Sequence, residues 1–546
     1  MQEAFEALRG HPLEPGDDPV TVELVFAEER TPDAVADQIR AALPGVEVEV
    51  DSAFGSPEDR FHFVTFPGIA ARGQEPEVFA FARALRRETG ATDANPVLAD
   101  SLYGAAAIGG GFDTEAALFS CETPRENLSP FGWVHPVIRT PQAWTRSRGQ
   151  GAIVAVIDTG HSSHQELNGI IRSNGQLNLV EGGTDASDRF NAGFLRHPGH
   201  GTLVCSVVAS RGSANGAGDV SGPGAITGSA PEATVLPIRA IRSVINFSQR
   251  TIPAAIAHAV AQGADVITMA MGGPTRVSAT EKALRDATRA GLVVTCAAGN
   301  CWPKVVFPAA YAANGLCTAV AALTHTQTPW PKTGRGPEVT IAAPGEHVWG
   351  AAKNKATDPD NGIKAAQGTT LATSLTAGVA ALWVARHGGR AALAQKASAA
   401  GTTVQAMFVH CLTHGLTKPP VWNGATDLGA GMLDAERLLG AALPAGPTGT
   451  EAVAEAALPA AGVEPTSEIL ALHLANHNPE ALDEYGPEIA EYAAEILWLS
   501  HRAGARTRAA ETEGVEAAMI RPDRASAGLR AALATRPELR AVVAVP

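Results

Sequence analysis

Between Trp133 and Gly440 the chain repeats one pattern, a short apolar run followed by an alanine-rich helical stretch. Strand patterns fall at Ala152–Ile157, Val235–Ile238, Val266–Met271 and Leu292–Ala297, and helix patterns at 253–262, 278–290 and 371–387. Continuous apolar runs belong to strands covered on both faces, and their alternation with helices predicts a parallel sheet flanked by helices. Sites in such sheets collect beyond the carboxyl ends of the strands.

The flanking segments read differently. Val20, Val22, Leu24 and Phe26 alternate, then Val35, Ile39 and Leu43 recur at helical spacing. Strand patterns at 46–50 and 61–66, a helix with Val78, Phe81, Ala82 and Leu85, and a short strand near Val97 complete a β-α-β-β-α-β order. That order predicts a ferredoxin-like α+β domain over residues 1–100. Residues 101–132 and 441–465 are rich in turn formers and small residues and read as linkers. Residues 466–546 carry three amphipathic helix patterns, around 466–476, 487–503 and 526–543, and no catalytic motif; they read as a helical accessory region open to a protein partner.

A net charge of −14 argues against a nucleic-acid surface, which needs clustered Lys and Arg. No run approaches the roughly 20 apolar residues of a membrane span. The first residues lack the apolar stretch of a signal peptide, so a cytoplasmic location is expected. Six cysteines (Cys121, Cys205, Cys296, Cys301, Cys317, Cys411) are scattered without metal-type spacing and read as free thiols of a reducing compartment.

Four segments carry chemistry. Ala155-Val156-Ile157-Asp158-Thr159-Gly160 is an apolar strand ending in a carboxylate. Gly199-His200-Gly201-Thr202 precedes a helix pattern. Thr295-Cys296-Ala297-Ala298-Gly299-Asn300 is a strand ending in an amide, and Gly368-Thr369-Thr370 opens the helix that continues through Leu382. Acyl transfer needs a hydroxyl nucleophile, an imidazole to take its proton, a carboxylate to orient the imidazole, and a donor for the developing oxyanion. Singly, each segment reads as a turn or a helix cap; their order makes the case.

These segments resemble the motifs of the subtilase family of serine peptidases. Asp158-Thr159-Gly160 with His164-Gln165-Glu166-Leu167 looks like its Asp motif, His200-Gly201-Thr202 its His motif, and Gly368 to Thr373 its nucleophile motif. Gly228-Ser229-Ala230-Pro231, Met271-Gly272-Gly273-Pro274, Phe307-Pro308-Ala309, Ala343-Pro344-Gly345 and Gly429 to Asp434 are similar to further family motifs, so the resemblance covers about 134–440. It implies a subtilisin-like α/β fold and an endopeptidase with Asp158 as orienter, His200 as general base, Thr370 at the nucleophile position and Asn300 as oxyanion donor. It also implies that residues 20–100 resemble a propeptide whose end lies in the substrate cleft; if the chain is processed, the cut is expected within 101–132. No cofactor is expected. Calcium binding is common in the family, but no compact Asp-rich loop here supports a site.

Thr370 departs from the family, which has serine there, and Ser374 stands where the family has proline. A threonine is stiff at χ1, and its methyl crowds the space a substrate carbonyl needs. Two readings stay open on the sequence: a peptidase slowed at its nucleophile, and an inactive scaffold that captures peptides without cutting them. Leu203 and Cys205 also depart from the His motif and are expected to pack behind the site. Substrate is expected along Ala270, Met271, Gly272 and Gly273 by strand addition, with Ala297, Ala298 and Gly299 as the opposite wall. Val306 is expected on the floor of the specificity pocket, selecting a moderate apolar side chain over Lys or Arg.

Overall fold

The computed structural model describes residues 1–8, 19–71, 73–98, 132–191, 197–212, 226–244, 249–273, 275–300, 304–448, 465–500 and 525–543. Most of both expected linkers, the expected cleavage region, Cys121 and Cys301 lie outside the described residues.

The N-terminal domain runs α1 (Gln2–Leu8), β1 (Pro19–Arg30), α2 (Pro32–Ala42), β2 (Glu49–Ser52), β3 (Asp59–Ala70), α3 (Glu75–Thr89) and β4 (Asp93–Pro96). Its strands pair antiparallel in the order β2-β3-β1-β4, the ferredoxin-like arrangement. The period of two along β1 sorts its faces. Val20, Val22, Leu24 and Phe26 pack with Ile39, Val78, Phe81 and Leu85 of the helices. On the other face Val25, Phe61, Phe63 and Val97 meet Val277 and Ala279 of the central domain. Helix α2 starts where the Thr31 hydroxyl accepts from Ala34 N at 3.1 Å, with Pro32 in the first turn. Helix α1, which no periodicity announces, brings Phe5 and Leu8 into the same core.

Among the described residues, the main sheet of the central domain holds seven strands: β5 (Ile153–Asp158), β6 (Leu177–Asn178), β7 (Thr234–Arg239), β8 (Val266–Met269), β9 (Val293–Ala297), β10 (Thr318–Leu323) and β11 (Ile341–Pro344). All pair parallel, in the order β11-β10-β9-β8-β5-β7-β6. Strands β6 and β7 follow β5 on one side of it, and β8 then crosses to the other. The strand order therefore reverses at β5, and a crevice opens beyond its carboxyl end. Two short helices, α4 (Val134–Ile138) and α5 (Thr140–Trp144), lead into the sheet. Around it lie α6 (His200–Ala209), α7 (Ile252–Ala261), α8 (Ser278–Arg289) and α9 (Thr369–Arg386), followed by α10 (Gly389–Ala399), α11 (Val404–Thr413) and α12 (Ala435–Gly440). Every residue of α9 from Thr369 to Val384 is buried, so this helix reads as apolar on all sides.

The C-terminal residues form α13 (Thr466–His477), α14 (Pro479–Leu482), α15 (Pro487–Ala490), a helical stretch over 493–500, α16 (Ala527–Leu533) and α17 (Pro537–Val543). They do not stand apart. Leu474, Ile489, Ile496, Leu529 and Leu539 share one core with Phe5, Phe79 and Leu85 of the N-terminal domain. The Phe79 and Trp498 rings lie 5.5 Å apart, and Arg83 pairs with buried Glu495 at 2.8 Å. No helix among the described residues is long and apolar enough to cross a membrane.

Candidate active site

Strand β5 ends in Asp158, delivering its carboxylate to the crevice at the strand-order reversal. Helix α6 begins with His200, and α9 with Thr369 and Thr370. The three meet although 212 residues of sequence separate the first from the last. His200 Nδ1 lies 2.9 and 3.0 Å from the two Asp158 oxygens, and His200 Nε2 lies 3.3 Å from Thr370 Oγ1. A carboxylate only accepts, so the imidazole proton sits on Nδ1 and Nε2 is left with a lone pair toward the hydroxyl. The side chains of Asp158 and His200 are 1% and 9% exposed, and Thr370 is 4% exposed. A buried carboxylate holding a mostly buried imidazole is the arrangement that fixes the ring's orientation and tautomer.

Asn300 lies at the end of the β9 segment, facing the start of α9. Its Oδ1 accepts from Thr369 N and Thr369 Oγ1, both at 2.8 Å. With the oxygen held this way, the amide nitrogen lies beside Gly368. A Cβ on Gly368 would stand 2.7 Å from that nitrogen, and the residue's φ of 135° suits glycine alone. The Thr369 hydroxyl also accepts from Gly299 N at 3.2 Å, so it ties the β9 end to the helix start. The site thus gathers a carboxylate, an imidazole, a hydroxyl and an amide at a helix N-terminus, where free N–H groups favour negative charge. Neither alternative hydroxyl competes. Thr369 is engaged with Asn300, and Ser374 Oγ donates to the Thr370 carbonyl at 2.8 Å, one turn down the helix.

Behind this row lies a polar support that no motif reading finds. The Thr159 hydroxyl accepts from Gly201 N at 3.0 Å and lies 3.1 Å from Asp188 Oδ2, which also accepts from Gly199 N at 2.7 Å. The glycines on either side of His200 are therefore anchored to the residue after Asp158. Arg239, 1% exposed, donates to the Thr159 carbonyl and grips Glu181 through two bonds of 2.7 Å. That pairing holds the Glu181 carboxyl down at about 2. Asp188 sits in a loop without periodicity or motif, so sequence gives no signal for it. Thr369 is visible in sequence only as the neighbour of Thr370. Leu203 and Cys205 are buried, and burial, then the Asp158 charge, push the Cys205 thiol upward and keep it protonated.

The two segments expected to flank a substrate both lie against Val306. The strand pattern runs to Met271, yet β8 ends at Met269, because Gly272 N donates to Val244 O at 2.9 Å and Gly273 exchanges two backbone bonds with Phe307. The stretch Ala270–Gly273 is consequently no open edge: a peptide strand added at Gly272 must displace the Val244 carbonyl. Ala297, Ala298 and Gly299 lie opposite, next to Asn300. Val306 is wedged between the two walls; a Cβ on Gly272 would meet it at 2.3 Å and one on Gly299 at 2.9 Å.

The Subtilase family model matches residues 149–434, just over half of the chain, and the chain belongs to this family. The parallel sheet flanked by helices is its subtilisin-like fold. Over 246 residues the chain is 32% identical to thermitase of Thermoactinomyces vulgaris, covering 45% of this chain and 79% of that protein. It is 31% identical over 229 residues to the major intracellular serine protease of Bacillus subtilis (strain 168), covering 40% and 66% respectively. Among solved structures, the crystal structure of MycP1 with its N-terminal propeptide removed matches 58% of this chain and all of that chain at 24% identity, with a TM-score of 0.44. Serine peptidase homology thus spans the domain that contains the site.

Proposed function

We propose that the protein is a subtilisin-like endopeptidase that cuts peptide bonds with Thr370 as nucleophile, at a rate limited by the threonine methyl. One observation carries the reading: His200 Nε2 lies 3.3 Å from Thr370 Oγ1 while its Nδ1 is held by Asp158 at 2.9 and 3.0 Å. In the first step Thr370 Oγ1 attacks the peptide carbonyl carbon as its proton passes to His200 Nε2. Asp158 stabilises the imidazolium that results, and the Asn300 amide donates to the oxyanion. The imidazolium then gives its proton to the departing amine, leaving an acyl ester on Thr370. Water, deprotonated by His200, hydrolyses that ester and restores the hydroxyl.

The methyl of Thr370 locks χ1 and takes up volume beside the oxyanion, so the hydroxyl reaches the carbonyl from a poorer angle. Misplacement by about 1 Å costs on the order of 100-fold in rate. The N-terminal domain serves, on this reading, as a propeptide-like cover. The intracellular serine proteases among the relatives support action inside the cell on a peptide or protein substrate.

Hydrolysis of a fluorogenic peptide by the chain, its Thr370→Ser variant and its His200→Ala variant tests the proposal. The serine variant is expected to be faster by about 100-fold, and His200→Ala to abolish turnover in both backgrounds. A serine variant as inert as the alanine one would leave the peptide-capturing scaffold as the better reading.

A further inference from the structure

We propose that residues 466–500 and 525–543 form a strap that retains the N-terminal domain on the peptidase domain after the chain between them is cut, so that scission alone does not release it. The N-terminal domain is held from two sides. Its sheet faces the central domain, where the buried Glu23 carboxylate accepts from Ser278 N at 2.9 Å and Ala279 N at 2.7 Å at the start of α8. Around this cap, Val25, Phe61, Phe63 and Val97 meet Val277 and Ala279, and Asp51 pairs with Arg250 at 2.6 Å. Its helical face is covered by the C-terminal helices, with Leu474, Ile489, Ile496, Leu529 and Leu539 buried against Phe5, Phe79 and Leu85.

The second contact is polar as well as apolar. Arg83 lies over the Tyr492 ring, 4.5 Å from its centre, and reaches both Glu495 at 2.8 Å and Ser526 Oγ at 2.9 Å. Glu495 is almost wholly enclosed and also accepts from Ser526 N at 2.6 Å. A pair this enclosed is costly to break by halves, because the partner left behind is a buried, uncompensated charge.

The strap begins where all three segments meet. Thr466 N donates to Asp93 Oδ2 at 3.0 Å, and the Thr466 hydroxyl lies 2.6 Å from Asp93 Oδ2 and 2.9 Å from Asn95 Oδ1. Arg276 of the central domain donates to that hydroxyl at 2.8 Å and pairs with Glu281 at 2.7 Å. Thr466, Asn95, Arg276 and Glu281 are all buried. The strap is covalently continuous with the peptidase domain, so after a cut the N-terminal domain still binds two surfaces of one chain. The second contact then forms at the high effective concentration of an intramolecular site, and the two affinities multiply. Freeing the domain therefore requires removing or loosening the C-terminal segment.

The test uses the full chain with His200→Ala, so that its own chemistry plays no part and the outcome is independent of the peptidase reading. A recognition sequence for a site-specific protease is inserted between residues 101 and 131, the chain is cut, and the N-terminal fragment is followed by size-exclusion chromatography on dilution. The fragment is expected to stay with the rest of the full chain and to leave a chain ending at residue 448. Arg83→Ala, a milder change, should weaken retention by about 100-fold. Prompt release from the full chain would overturn the proposal. So would equal retention by the shortened chain, or retention unchanged in Arg83→Ala.

Discussion

Residue identity at a handful of positions decides what this site can do. Thr369 shows how an unremarkable neighbour comes to matter, because its backbone N–H and hydroxyl both hold the Asn300 carbonyl oxygen and so fix the orientation of that amide. On the proposed reading, Val306 sets the pocket in the same way. Gly272 and Gly299 lie on either side of it, and the isopropyl group fills the gap between them, which on that reading is where a larger substrate side chain would have to enter. Substituting Val306→Gly should move the preference before the cleaved bond from small or moderate apolar side chains toward Phe and Tyr. A peptide-library cleavage profile, measured in the Thr370→Ser background for signal, checks this. A wild-type profile dominated by Lys or Arg, or one unmoved by the substitution, would show that Val306 does not floor the pocket. The four chemistry-bearing residues are readable from sequence because each ends or opens a regular element with a recognisable motif. Asp188 and Arg239 are not: Asp188 reaches Thr159 from a loop that folds back, and Arg239 reaches it from the end of β7, beside Asp158 of β5.

At the scale of elements, the short helices α4 and α5 that enter the central domain depend on a buried histidine. His135 Nε2 lies 2.8 Å from the Thr227 carbonyl, so that nitrogen carries the proton, and its Nδ1 lies 2.7 Å from the Thr140 hydroxyl. Complete burial lowers its pKa from 6.5 to about 4. The sign follows directly: between those values the unfolded chain binds a proton that the folded one does not, so stability falls as the pH drops from 6.5 to 4. At about 1.4 kcal/mol per unit the loss approaches about 3 kcal/mol. The denaturant midpoint of the central domain should fall over that range, and fall much less in His135→Gln. An identical pH slope in the two proteins would assign the acid sensitivity to other groups. The strands and long helices are legible because burial on one or both faces imposes a period on the sequence. The β8 pattern extends two residues too far, since Ala270 and Met271 stay apolar while the backbone has already left the ladder to pair with Val244 and Phe307. Helix α1 escapes a reading by pattern because seven residues with two buried side chains leave too little periodicity to detect.

Across the whole molecule, the first and last segments complete each other. The C-terminal helices are visible as amphipathic patterns, but periodicity reports only that a face is covered, never what covers it. Their cover is a domain more than 370 residues earlier in the chain, reached through the buried Thr466–Asp93 contact. The active site depends on the same kind of long-range convergence, with β5, α6, the end of β9 and α9 each supplying one group to a single crevice. The most direct test of that convergence is covalent. The full chain is treated with a fluorophosphonate, and the modified residue is located by mass spectrometry, beside His200→Ala. The account predicts a phosphonyl adduct on Thr370, formed slowly in the unaltered protein and absent when His200 is replaced. An adduct that persists without His200, or one on Thr369 or Ser374 in place of Thr370, would contradict it.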